Sequence, residues 1–394
     1  MIPIHKAMAK ALDSAGSQVV TCVPGFGGTQ VFDAWAALQN TDSAFSFHEE
    51  VAFGAAHGAA IAGFRSAMLT KVHGLAKAAN AITDSLYMSF GGAMVVLVFE
   101  DKHGSHSDNI LEGKPLLVGI QIPYFIPEKD QIISTIYEAF EKSSTLKIPV
   151  AVFLDADVVH EETDFEAYEG DFSPVPFERD VRRNLVVPVF ARYQFDVMQA
   201  KLNGDDFDSI EKPEIPVLPD GLPPDYADYV KPYIPLMEEF KKLRGSMVFG
   251  DTGISTLFAF PPYECVDACS YMGGSVAMAV GAAMAGIENC WAVTGDFSFI
   301  AAGHLGLIEA AAKKIPVKIL IFNNNKAQTT GGQQFDRKAL NRILAGYREF
   351  VMEIPDPSNH QNVRAVLEKA SSSEELQIVV AHYSKHIERN KSFQ

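Results

Sequence analysis

Along the first 160 residues, continuous apolar runs alternate with segments in which small and apolar residues recur every three or four positions. The runs "QVVTCVPG", "AFSFH", "SAMLTKV", "AMVVLVFED" and "IPVAVFLDA" predict strands, and segments 4–16, 28–38, 50–63, 76–89 and 130–144 predict the intervening helices. Strands that are apolar at nearly every position are covered on both faces, the pattern of a parallel sheet between two helical layers. A second alternation starts at "GSMVFGDTGIS" and passes through "CWAVTGD" and "VKILIFNNN" to "LQIVVAHYS". Between the two, over 166–240, periodicity gives way to acidic and proline-rich sequence such as "IEKPEIPVLPDGLPPDY", the composition of a linker. The pattern predicts an α/β protein of two doubly wound parallel-sheet domains, 1–165 and 241–394, joined by a long linker over 166–240. Ligands in such folds lie at the C-terminal ends of the strands.

The two alternations also resemble each other. A Gly/Ala helix from Gly58 to Gly63 leads to a strand, a turn at Gly74, a helix and the strand ending at Asp101; a Gly/Ala helix from Gly281 to Gly286 leads to a strand, Asp296, a helix and the strand ending at Asn323. Agreement in order, element length and glycine position points to duplication, and two similar halves with different polar residues at matching loops divide one ligand between them.

A chain of 394 residues is long enough for two domains of about 150 residues each. Its net charge of -16, with 33 basic against 49 acidic residues, excludes a nucleic-acid surface, which needs clustered Lys and Arg. A bound phosphate is then a task for backbone amides, helix ends or a metal. The N-terminal "MIPIHKAMAKALDSAG" lacks the basic-then-apolar order of a signal peptide, and no apolar run reaches the roughly 18 residues that span a bilayer. Cys22, Cys265, Cys269 and Cys290 are too few and scattered for a disulfide framework. A cytoplasmic location without a membrane segment is expected.

Candidate chemistry sits at the strand ends. "GDFSF" follows the strand "CWAV" and opens a helix over 300–313, so Gly295, Phe297 and Ser298 offer a close backbone approach and free amides to an anion, and Asp296 adds a hard oxygen ligand. After the next strand, "IFNNNKAQTTGG" presents amide oxygens and turn carbonyls. With Asp296 and two phosphate oxygens these nearly complete an octahedral Mg²⁺ shell. Each loop alone is an ordinary turn; together, at this separation, they favour a metal and phosphate site.

Gly295-Asp296 followed at a strand-and-helix distance by "NNN" resembles the thiamine diphosphate signature of the thiamine-dependent enzymes. That family begins its signature Gly-Asp-Gly, where this chain has Phe297, a departure shared with the ferredoxin-linked 2-oxoacid oxidoreductase branch. The resemblance implies the thiamine diphosphate-binding fold, with a pyrimidine-binding first domain and a pyrophosphate-binding second one. It also implies Mg²⁺ ligands at Asp296, Asn324 and the carbonyl of Lys326, with Asn323 the alternative to Asn324. "GDTGIS", with Gly253 and Ser255, is similar to the family loop at the pyrophosphate and aminopyrimidine. "YMGGSVAMAVGAAMAG", with Met272 and Gly273, is similar to the segment whose bulky residue bends the cofactor; a methionine there is adaptable filler.

In the first half, "HEEVAFGAAHGAA" resembles the segment carrying the cofactor-activating glutamate. That assigns Glu49 to the proton relay and leaves Glu50 as a helix N-terminal acid. The small residues after it let two copies approach, and the resemblance implies a homodimer or dimer of dimers with active sites at the interface. His73 in "TKVHGLAKAAN", and His103 and His106 in "EDKHGSHSDN", are placed to move protons near neutral pH. "CVPGFGGTQVFDAW" brings Gly27, Thr29 and Gln30 to the rim, where Thr29 or Gln30 suits a substrate carboxylate; it is not a dinucleotide fingerprint.

Segments 1–160 and 245–345 are similar to the large subunits of indolepyruvate ferredoxin oxidoreductases in "HEEVAFGAAHGAAIAG", "PPYECVDACSYMGGSVAMAVG" and "NNNKAQTTGGQ". Those enzymes pass electrons through iron-sulfur clusters. This chain has no cluster-binding cysteine array, and "LPPDYADYVKPYIPLMEEFKK" stands where a Cys-rich segment is expected. The remaining two-domain plan is similar to phosphonopyruvate and sulfopyruvate decarboxylases. The expected function is a thiamine diphosphate- and Mg²⁺-dependent, non-oxidative C–C lyase or ligase acting on a 2-oxo acid or related small carbonyl compound. The alternatives are an oxidoreductase component that feeds a partner subunit and a non-catalytic cofactor-binding protein.

Overall fold

The computed structural model describes residues 1–40, 44–170, 172–222 and 224–383. They form two units, each with its own sheet: Met1–Glu178 with Gln194–Ile210, and Arg179–Tyr193 with the described residues from Glu211 onward.

The first unit holds β1 (Ser17–Cys22), β2 (Arg65–Lys71), β3 (Ala93–Glu100), β4 (Tyr124–Phe125) and β5 (Val150–Asp155). They are all parallel, in the order β1-β2-β3-β5-β4. Every residue of β3 is buried, as the uninterrupted run "AMVVLVFE" requires of a central strand. Helix α1 (Ile4–Ser14) buries Ile4, Met8, Ala11 and Leu12, one stripe at helical spacing. Helices α2 (Gly28–Gln39), α3 (Glu49–Ile61), α4 (Val72–Leu86) and α5 (Ile132–Leu146) complete the layers. Helix α3 is buried on all sides from Val51 to Ile61, because its glycines and alanines let neighbours approach around its whole circumference.

Two expectations need correction here. Residues 44–48 form no strand: Ser46 N–H donates to the Cys22 carbonyl at 2.8 Å, while Phe47 is exposed, so the alternation in "AFSFH" reflects a single tether beside the edge strand. Helix α4 begins at Val72, directly after β2, rather than at 76. Gly74 thereby falls in its first turn, where an added Cβ would lie 2.1 Å from Thr70 Oγ1 and 2.7 Å from Glu49 Cγ.

The second unit holds β6 (Met247–Gly250), β7 (Ala268–Cys269), β8 (Cys290–Gly295), β9 (Lys318–Asn323), β10 (Val351–Ile354) and β11 (Gln377–His382). Its sheet is also all parallel, in the order β10-β11-β9-β8-β6-β7. Residues 166–240, expected as a linker, include the helices α6 (Ala191–Asn203) and α7 (Ile234–Leu243) and bury Phe190, Met198 and Tyr233. Phe240 of α7 packs edge-on against Trp291 of β8 at 5.2 Å. Glu239 of the same helix accepts from Arg364 Nε at 2.8 Å and from Lys242 Nζ at 2.8 Å, and its carboxyl is held down to about 2, chiefly by the Lys242 bond. Arg364 belongs to α10 (His360–Ser371), so α7 is fastened to this unit by an apolar face and an ion pair whose carboxylate is buried while its guanidinium stays half-exposed.

The Gly/Ala helix α8 (Gly274–Met284) leads into β8, whose end starts a helical stretch that reaches α9 (His304–Ala312) through a π-turn over Phe299–Gly303. The expected helix over 300–313 therefore starts earlier, at Asp296. Gly273 explains the proximity of α8 to that turn. Its φ is +85°, and a Cβ there would lie 2.6 Å from Ala302 Cβ.

Candidate functional site

Strands β6, β8 and β9 are neighbours, in a register that pairs Gly250 with Val293 and Gly295 with Phe322. Their C-terminal ends and the loops that follow enclose a cavity of about 320 Å³. Gly253 and Ser255 line it from the loop after β6, Gly295, Asp296, Phe297 and Ser298 from the end of β8, and Asn324 and Lys326 from beyond β9. Met272 lines it too, and Met272 and Phe297 leave apolar surface exposed at 41% and 38%. Gly273 is at the N-cap of α8, beside Met272. The second-half residues singled out in the sequence thus converge on one place.

Asp296 is 1% exposed. Its Oδ1 accepts the Phe297 amide at 2.8 Å and its Oδ2 the Asn325 amide at 2.6 Å. Burial nevertheless pushes its carboxyl up to about 7. Asn325 adopts φ +55°, and this turn brings the Lys326 amide within 2.9 Å of Asn324 Oδ1. Asn323 turns away: its Nδ2 is 3.1 Å from His382 Nδ1, and its side chain does not line the cavity.

Sequence reasoning missed two buried residues here. Asp251, next to the recognised "TGIS", accepts the Ser275 amide at 2.9 Å and the Thr294 hydroxyl, and so ties the ends of β6 and β8 to the start of α8. Burial raises its carboxyl. Tyr233 lines the cavity from the proline-rich segment, where nothing in the local pattern marks it.

The first-unit candidates gather at the ends of β1, β2 and β3, and many are bonded to each other. Glu49 opens α3; its Oε2 lies 2.7 Å from Lys77 Nζ, an ion pair whose angle falls outside hydrogen-bond geometry. Glu50 Oε1 meets Asn80 Nδ2 at 3.4 Å, and burial raises its carboxyl. His73 is in the first turn of α4 and bonds Asn109 through Nε2. His106 stacks on Phe26 with ring centroids 3.6 Å apart, and His103 is exposed. The loop carrying both is pinned by Lys71 Nζ, which donates to the His106 carbonyl at 2.6 Å, and by Asp101, which accepts the Ser105 and His106 amides at 3.0 and 2.7 Å. Thr29 and Gln30 use their side-chain oxygens on the amides of Gly25 and Gly27, at 2.9 and 2.8 Å, and so cap α2 within their own loop.

A family model described as thiamine pyrophosphate enzyme, C-terminal TPP binding domain, matches residues 251–374. That range contains every cavity-lining residue except Tyr233. Over 157 residues the chain is 30% identical to sulfopyruvate decarboxylase subunit alpha of Methanococcus maripaludis, covering 38% of this chain and 93% of that protein. The chain belongs to the thiamine pyrophosphate enzymes. Within them it is also 26% identical over 248 residues to the indolepyruvate oxidoreductase subunit IorA of Pyrococcus abyssi, a match covering 58% of this chain. The chain spans only 38% of that relative's length. Among solved structures, the thiamine diphosphate-dependent 4-hydroxybenzoylformate decarboxylase of Rhodococcus jostii RHA1 superposes with a TM-score of 0.65 at 15% identity, over 97% of this chain and 99% of that one. At that identity the likeness establishes the thiamine pyrophosphate enzyme fold alone. No helix among the described residues is long and apolar enough to cross a membrane.

Proposed function

We propose that this thiamine pyrophosphate enzyme is Mg²⁺-dependent and carries out non-oxidative C–C bond chemistry on a small 2-oxo acid, most simply its decarboxylation, with ligation of the product to an acceptor as a variant. The observation that carries the proposal is a buried carboxylate, Asp296, facing a cavity with Asn324 at the ends of two adjacent strands. These residues fit the cofactor. A carboxylate desolvated enough to be pushed up to about 7 gains from a cation beside it, and the loops of Gly253 and Gly295 leave room for a phosphate against the backbone.

Asp296, Asn324 and the Lys326 carbonyl would hold Mg²⁺, while Ser298 and the amides at the end of β8 would hold the pyrophosphate. When bound, thiamine diphosphate supplies an electron sink for the pair left behind as the carboxylate leaves as carbon dioxide. Met272 would pack against the cofactor and, with Phe297, would limit the access of water to it. Glu49 would hold a proton for the cofactor's pyrimidine ring, and His73, His103 and His106 would exchange protons with substrate. We further propose that the protein works in the cytoplasm as a homodimer or dimer of dimers, in keeping with the small residues of α3; light scattering on the purified protein tests the assembly.

The relatives named sulfopyruvate decarboxylase and indolepyruvate oxidoreductase support different readings. The non-oxidative one is supported by the likeness to sulfopyruvate decarboxylase subunit alpha, while the buried Cys22, Cys265, Cys269 and Cys290, two of them with thiols that burial pushes up to about 12, speak only against a cluster held by these cysteines. The second reading, electron transfer to a cluster-bearing partner, follows from the indolepyruvate oxidoreductase likeness. Carbon dioxide release from a panel of 2-oxo acids, with thiamine diphosphate and Mg²⁺ and with or without a viologen acceptor, separates them. Release without acceptor supports the lyase, release only with acceptor supports the oxidoreductase, and cofactor binding without turnover of any acid leaves a binding protein.

A further inference from the structure

The amide of Asn324 is held from both ends. Its oxygen end is identified by the Lys326 main-chain amide, which can only donate and lies 2.9 Å from Oδ1. The opposite end, Nδ2, donates to the hydroxyl of Tyr233 at 2.7 Å. The two bonds fix the rotation of the amide plane and leave the second lone pair of Oδ1 for a ligand in the cavity that both residues line.

Tyr233 is itself fixed. It is 1% exposed, its ring lies 4.2 Å from that of Tyr383 and 5.0 Å from that of Phe322, and it ends the short turn Lys231–Tyr233 that leads into α7. Helix α7 in turn is anchored through Glu239 to Arg364 of α10. The phenol therefore reaches Asn324 from a rigid support outside the family-matched range of 251–374.

We infer that Tyr233 is a positioning residue for the metal site: by accepting from Asn324 Nδ2 it presents the amide oxygen to the cation, and so the segment preceding the cofactor-binding domain sets metal affinity. This rests on the reading of Asp296 and Asn324 as Mg²⁺ ligands. Without the hydroxyl, the amide keeps its bond to Lys326 but loses the partner that prevents it from rotating, and the ordering falls on the cation. Removing an outer partner of a metal ligand commonly weakens binding by roughly 10–100-fold.

The test is Mn²⁺ binding, followed by the solution electron paramagnetic resonance signal of the free ion, to the full chain with saturating thiamine diphosphate. Wild type is compared with Tyr233→Phe, Asn324→Ala and the double variant, with apo-protein melting recorded for each. The expected result is a dissociation constant about tenfold higher for Tyr233→Phe, an apo melting temperature close to wild type, and no further weakening when Tyr233→Phe is added to Asn324→Ala. An unchanged dissociation constant overturns the inference, as does an equal loss in the Asn324→Ala background, which would mean that the hydroxyl acts on the site by another route. Wild type that binds no Mn²⁺ overturns the metal-site reading together with the inference, whereas wild type that binds while Tyr233→Phe binds equally well overturns the inference alone.

Discussion

In residues 65–100 a buried strand runs straight into a helix and returns through a second buried strand, and residues 290–323 do the same, yet the polar groups at the two pairs of strand ends meet different partners. In the first region Lys71, Asp101 and His73 bond the loop that follows β3, and Glu49 pairs with Lys77. In the second, Asp296 and Asn324 bond main-chain amides and face a cavity. The helix starts also differ: α4 opens on Val72 and continues unbroken, whereas the helical stretch after β8 opens on Asp296 and passes through a π-turn before α9. The same strand–helix–strand plan thus ends in side chains bonded to their own loop in one region and in a lined void in the other. The division of labour is carried by the loops rather than by the strands.

The comparison is sharpened most by Glu49→Gln. On the proposed reading it lowers kcat at least about 100-fold while the thiamine diphosphate dissociation constant stays near wild type; steady-state rates beside a binding titration check the split, and an equal loss in both would place Glu49 in binding rather than proton transfer. Next comes Gly273→Ala. The new methyl meets Ala302 at a backbone φ of +85°, so a stability loss of about 1–3 kcal/mol and weaker cofactor binding are expected, read by chemical denaturation and calorimetry.

A smaller and pH-dependent effect comes from His57, buried in α3, whose ring burial holds down to about 3. The folded state keeps His57 neutral while the unfolded chain takes up a proton below about 6.5, so this residue costs nothing above that pH. Each unit of pH below it removes about 1.4 kcal/mol, until the folded ring also protonates near 3. Denaturation between pH 7 and 4 should show a flatter loss in His57→Gln than in wild type, and parallel curves would refute the assignment. The smallest effect is expected of Lys71→Met, within about 1 kcal/mol of wild type in stability but with faster amide exchange over residues 105–107, since the tether to the His106 carbonyl and the Ser107 hydroxyl and the charge beside Asp101 are lost.

Much of this was legible in the chain because it depends on local pattern. The unbroken apolar run of β3, the Gly/Ala composition of α3 and α8 and the Gly295-Asp296 turn declare themselves within a few residues. What failed depends on partners distant in sequence. "AFSFH" alternates like a strand, but beyond the Ser46 tether to Cys22 it has no ladder to join. Val72 and Gly74 are poor helix formers read alone, yet α4 starts there because Gly74 packs against Glu49 and Thr70. Proline and acid content gave 166–240 the look of a linker, and composition is silent about single buried side chains such as Tyr233, whose partner Asn324 is 91 positions away. Which of Asn323 and Asn324 lies at the cavity likewise needed coordinates: Asn323 meets His382, whereas Asn324 lines the void.

The central claim is that the cavity at the ends of β6, β8 and β9 holds thiamine diphosphate through a cation on Asp296. Calorimetric titration of thiamine diphosphate into the full chain, with Mg²⁺ or with chelator, in wild type and Asp296→Asn, tests it most directly. The account predicts saturable binding in wild type that requires Mg²⁺ and weakens more than about 100-fold in Asp296→Asn, beyond the usual reach of outer-partner changes. Binding of equal strength in the variant, or in wild type with chelator, would contradict it.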